Sequence, residues 1–492
     1  MTRQERILSP SVTALLPVFL ALVGQAQAPQ APPQLAEIDL ERIAALYRLG
    51  DALGAELWPG FELRKIPIAV NNQDREEILI AHPKPPEEFQ PWEDHSVDGA
   101  VVLRREGSTR YGPRGGGWAV DLIGVQCAYV GAEEEGLATE SYPLLILHEC
   151  FHVFQDHRAR AAVPMEEPPR DDPSYSALLA LESRTLNAGL CESEEEQART
   201  LCRMFLAVRG ERRRALSPAV LAAEGESEYS EGSATYVSAR AVQWLAAKGG
   251  LEKLLEDADY HGFADAAKRY AEHVQQVLPP PGERVEFFHA MYNHGMAQGL
   301  LLDRSRPDWK QEMAARGSTQ TGLLEQTFAD SEEERAGLLA QAKERFHFDV
   351  LLAEQTQAVA DWLAVVRGYL EAPGRRYRVL HGLIPGPFNW KPEGPVYPYK
   401  ETTIWAGGIR RFDRGPLVFE SGNVPVIFTH AALEWIDPDP DPDGRDLKIA
   451  SASVADGLYR ELVLDTDGFH LSVPLARIEI TEDLVTIRPV SE

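Results

Sequence analysis

The sequence predicts an α+β fold, and three textures along the chain predict it. Between residues 66 and 130, short runs rich in Val, Ile and Ala alternate with turn residues, as in a small sheet. From 142 to 372 the apolar residues recur at helical spacing, with loops at 163–173 and 278–282. Beyond Pro373, strand-like runs return at short, regular intervals, which suggests a β-sandwich or barrel. The expected organisation is a leader at 1–28, an N-terminal helix and β-sheet subdomain at 29–141, a helical body at 142–372, and a C-terminal all-β domain at 373–492. A length of 492 residues fits about three domains at roughly 150 residues each.

Taken in order, Arg3 and Arg6 precede an apolar run at 12–23, and small residues follow at Gly24, Ala26 and Ala28. That is the layout of a secretory signal peptide, and the run is shorter than the ~20 residues of a membrane span. The expectation is therefore an exported protein, periplasmic or secreted, with no stable membrane insertion after the leader is removed. A helix at 35–54 places Ile43, Leu46, Tyr47 and Leu53 on one face, and Trp58-Pro59-Gly60 ends it. Strands are expected at 66–70, 78–81, 100–103 and 118–130, with Asn71-Asn72 and Gly115-Gly116-Gly117 as turns. Ser331 followed by Glu334 starts a capping box for a helical stretch ending near Leu370. Further strands are expected at 403–409, 417–420, 424–429, 447–452, 459–464 and 476–480.

Charge excludes one class of partner. The chain carries 49 Lys and Arg against 76 Asp and Glu, a net −27, whereas nucleic acid needs clustered cations. The nearest cluster, Arg209, Arg212, Arg213 and Arg214, sits among glutamates and reads as a solvated helix face. Four cysteines are too few for a disulfide scaffold. If Cys191 and Cys202 share one helix they stand about 16 Å apart, too far to bond.

Chemistry concentrates in Tyr142 to Phe154. There His148-Glu149-Cys150-Phe151-His152 spells H-E-x-x-H in an otherwise apolar stretch. Positions i and i+4 of a helix project from one face, so both imidazoles reach a single metal ion. Glu149 stands beside that ion, where a base must sit to take a proton from water held there. A catalytic zinc commonly takes a third protein ligand. Glu224, Glu228 and Glu231 offer carboxylates at i, i+4 and i+7, one helical face, and their mutual repulsion favours a cation opposite. His157, five residues past His152, points to another face. Asp439-Pro440-Asp441-Pro442-Asp443-Gly444 opens like a calcium loop but has Ala450 where the closing Glu belongs, so it reads as an acidic loop. Trp390, Tyr397, Tyr399 and Trp405 read as core and loop aromatics in preference to a carbohydrate platform.

H-E-x-x-H followed on a later helix by E-G-x-A-x-Y resembles the glutamate zincins, the thermolysin-like metallopeptidase clan. The second motif is Glu231, Gly232, Ala234 and Tyr236, and the likeness covers the order of elements from about 66 to 239, not the C-terminal domain. The resemblance implies a zincin-like core holding one zinc ion per chain through His148, His152 and Glu231. Glu228 would stand behind the metal or substitute as ligand. A Tyr or His would stabilise the oxyanion, with Tyr292 preferred among Tyr292, His289, His294 and Tyr236. The expected function is a zinc metallopeptidase that cleaves peptide or protein substrates with metal-activated water and Glu149 as general base. The alternatives are a zinc amidohydrolase acting on a cell-wall or other non-protein amide, and a catalytically silent exported binding protein.

Overall fold

The computed structural model describes residues 37–72, 76–107, 116–131, 141–155, 168–248, 287–316 and 318–372. Beyond these it describes 375–384, 389–392, 396–399, 402–406, 409–414, 417–421, 426–429, 432–437, 448–449, 453–455, 457–465, 469–480 and 484–490. The leader, His157 and the acidic loop at 439–444 lie outside the described residues, as do the side chains of His289, Trp390, Tyr397 and Tyr399. Among the described residues no helix is long and apolar enough to cross a membrane.

Helix α1 (Glu37–Leu53) buries Ile43, Leu46, Tyr47 and Leu53, as its periodicity requires. Past its end, buried Trp58 meets Phe151 edge-on at 5.0 Å and Trp309 at 5.2 Å. Six strands follow: β1 (Ile68–Asn72), β2 (Glu76–Ile80), β3 (Gln90–Val97), β4 (Ala100–Glu106), β5 (Gly116–Leu122) and β6 (Val125–Gly131). Their order is β3-β4-β2-β1-β6-β5, with β1 and β6 parallel and every other neighbouring pair antiparallel. The run expected as one strand at 118–130 is instead the β5–β6 hairpin. Ile123 and Gly124 turn it with φ of 49° and 78°, and Asp121 Oδ1 accepts from the Gly124 amide at 2.8 Å. Strand β3 escapes the sequence pattern because it is a largely exposed edge of polar residues with no apolar alternation.

The helical body begins with α2 (Ser141–Gln155), α3 (Pro173–Cys191), α4 (Glu195–Arg213) and α5 (Pro218–Ser227). Asp172 and Ser217 cap α3 and α5, each followed by Pro in the first turn, where its missing N–H costs nothing. A π-helical turn, Glu228–Gly232, leads into α6 (Ser233–Lys248), and α7 is Phe287–Ser305. Cys191 and Cys202 lie on different helices, so the single-helix premise fails; all four cysteines are unbridged. Two short helices follow, α8 (Trp309–Arg316) and α9 (Gln320–Thr327). The Ser331–Glu334 capping box is present at the start of α10 (Glu332–Arg345). The expected long stretch then breaks at His347, whose φ is 52°, before α11 (Phe348–Leu370).

The described residues up to Ala358 form one compact unit and those from Val359 on form a second. The division falls inside α11, ahead of Pro373, because Trp362 and Val366 of its last turns pack with Ile404 and Ile427 of the β domain. In that second unit the described strands hydrogen-bond into one sheet of thirteen. Phe412 and Phe428, from strands near opposite ends of the strand order, approach to 6.3 Å between ring centroids, so the sheet curls around a core of its own. Trp405 stacks on Phe428 inside that core and is no platform for ligand.

Candidate metal centre

Helix α2 is buried along most of its length. Leu144, Ile146, Leu147, Cys150 and Phe151 are each 3 % exposed or less. His148, Glu149 and His152 are therefore carried into an apolar interior, where unpartnered polar groups are costly. The i, i+4 spacing brings the two Nε2 atoms to 2.9 Å. Glu231 Oε2 lies 3.3 Å from the first and 3.2 Å from the second. Ligands about 2.0–2.1 Å from a tetrahedral zinc stand about 3.4 Å apart, so the donor set has the dimensions of such a site. Its chemistry also fits. A cation between them would accept a lone pair from each of the two imidazole nitrogens and from the carboxylate oxygen.

The π-helical turn explains why Glu231 reaches the cluster. In an α-helix residues 228 and 231 stand about 60° apart around the axis and share a partner. A π-helical turn closes i→i+5 and turns less per residue, so the two carboxylates diverge. Gly232 lets the turn lie against α7: a Cβ there would fall 2.5 Å from Gly295 Cα. Thr235 donates its hydroxyl to the Glu231 carbonyl at 2.8 Å, and Ser238 donates to the Leu144 carbonyl at 3.2 Å, joining α6 to α2.

Glu149 leans on the sheet. A Cβ at Gly117 in edge strand β5 would lie 2.5 Å from Glu149 Oε1, so the carboxylate rests directly on backbone. Burial pushes this carboxyl up, with His148 and His152 pulling the other way. For Glu231, burial alone would raise it, but the charge on His152 and hydrogen bonds from both histidines hold it far below the usual range. For His152, burial would lower it, and the Glu231 carboxylate outweighs that and brings it up to about 9. Tyr292, on α7, lies parallel to the His148 ring at 6.3 Å, with the Glu231 carboxylate nearby. Burial, with Glu231 and Glu149 nearby, pushes its hydroxyl up, so it stays a donor at neutral pH. The chain matches no family model, no curated protein and no solved structure. Its site is read from geometry.

The structure brings together His148, Glu149, His152, Glu231 and Tyr292. It separates Glu228 and Glu224 from them, and the shared face expected for the three glutamates is absent. The buried Glu228 carboxylate accepts from Arg209 at 3.0 Å and from Gln298 at 3.0 Å. Glu224 pairs with Arg212 at 2.7 Å and with Arg213. Arg209 and Arg212 are each only 1 % exposed, which corrects their reading as a solvated face: Glu182 also accepts from both, at 2.8 and 2.5 Å. His294 belongs to this network, 3.2 Å from Glu182 and 2.8 Å from Ser183 Oγ. Tyr236 donates to Asp303. Sequence reasoning missed Gly117, which it took only as a turn residue, and Gln155. A polar side chain one turn past His152, closing an apolar helix, was the available signal for the latter.

Proposed function

We propose that this protein is an exported zinc metallopeptidase. The convergence of His148, His152 and Glu231 around one point, with Glu149 beside it and pressed on Gly117, carries this reading. Those three side chains would hold zinc, which would supply a Lewis acid for the scissile carbonyl and for the attacking water. Glu149 accepts the proton of the attacking water and delivers it to the departing amine, a task its burial-raised carboxyl suits. Tyr292, kept protonated beside Glu231, donates to the carbonyl oxygen as negative charge builds there. An edge strand at the base also favours a peptide substrate. Strand β5 pairs with β6 on one side only among the described residues, and an extended chain added to its other side would pass Glu149.

The test is turnover of an unfolded protein by the parent and by Glu149→Gln, with zinc content measured on both. The parent should lose activity to a chelator and regain it with zinc. Glu149→Gln should keep its zinc and lose activity on the order of 10³-fold. An active Glu149→Gln enzyme would sink the mechanism.

A further inference from the structure

Gln155, the last residue of α2, touches both halves of the cluster. Its side-chain nitrogen donates to the Tyr229 carbonyl in the π-helical turn at 2.8 Å, and its oxygen lies 3.2 Å from His152 Nδ1. The first contact dictates the second. A carbonyl only accepts, so the amide turns its NH₂ to Tyr229 and leaves its oxygen facing the ring. That oxygen also only accepts, so the ring nitrogen it faces carries the proton. With the proton on Nδ1, a neutral His152 presents its Nε2 lone pair toward His148 and Glu231.

We infer that Gln155 is a positioning residue of the metal centre, fixing the tautomer and ring plane of His152, with Tyr229 locking the amide in the orientation this needs. The inference rests on the zinc reading above. Gln155 acts only through His152, and outer partners of this kind are worth about 10–100-fold in metal affinity.

The experiment is zinc affinity by chelator competition on the full chain for the parent, Gln155→Leu and Gln155→Glu, with thermal melting of each metal-free protein. Leu fills similar space but offers no acceptor, so affinity should fall about 10–100-fold with little change in melting. Glu keeps an acceptor for Nδ1–H but gives up the donor to Tyr229, so its affinity should lie between those of the parent and Gln155→Leu. In the zinc-loaded parent, nitrogen NMR should find His152 protonated at Nδ1. If Gln155→Leu does not fold, the tautomer decides. Parent-like affinity in Gln155→Leu, an affinity of Gln155→Glu no better than that of Gln155→Leu, or a proton on Nε2 of the zinc-loaded parent overturns the positioning role and leaves the zinc site standing. A parent that takes up no zinc overturns the site itself, and the positioning role with it.

Discussion

Glu149 holds its place because Gly117 has no side chain. A methyl group there would stand 2.5 to 2.8 Å from Oε1, Cγ and Cδ of the glutamate, and the movable partner is the carboxylate. Gly117→Ala should therefore displace the base by about an ångström while the ligands stay put. The expected result is normal zinc content and kcat/KM lower on the order of 10²-fold. Full activity in that variant would show that Glu149 does not work from this position. The contrast with the histidines shows what sequence can reveal at this scale. His148 and His152 are neighbours through one helix, so spacing alone pairs them. Gly117 meets Glu149 across the fold, and nothing local to either residue announces it.

Among the elements, the π-helical turn decides the site by sending Glu231 toward the histidines and Glu228 toward Arg209. The α-helical geometry assumed from sequence puts both on one face, which is why Glu228 is there a rival ligand. The buried ion pairs of α3, α4 and α5 brace the other side of that turn, and acid should release them. Burial alone would raise Glu224, but Arg212 and Arg213 outweigh it and bring the carboxyl from 4.5 to about 2. A depressed folded value stabilises fully above the unfolded pKa near 4.5 and is lost as pH falls toward 2. Glu224→Gln should lower the melting temperature at pH 7 by about 10 °C, since breaking a buried pair strands its partner. The gap between parent and variant should then close between pH 4.5 and 2. A gap that ignores pH would contradict this assignment.

Across the whole molecule, the α+β order was legible because each part has its own texture: alternating runs, helical spacing, then strands again. Two features were not. The edge strand β3 is polar and leaves no pattern, and the division at Ala358 depends on Trp362 and Val366 packing against residues some forty to sixty positions later. Only contacts of that range could place it. The identified site residues, Gly117 to Tyr292, all fall within the unit that ends at Ala358. Zinc in the purified full chain, set against Glu231→Ala, decides whether His148, His152 and Glu231 hold a metal. One zinc per chain in the parent and binding weakened at least about tenfold in the variant is the predicted result. A folded parent that takes up no zinc would retire the metal centre, and a variant that holds it as tightly as the parent would remove Glu231 from the ligand set.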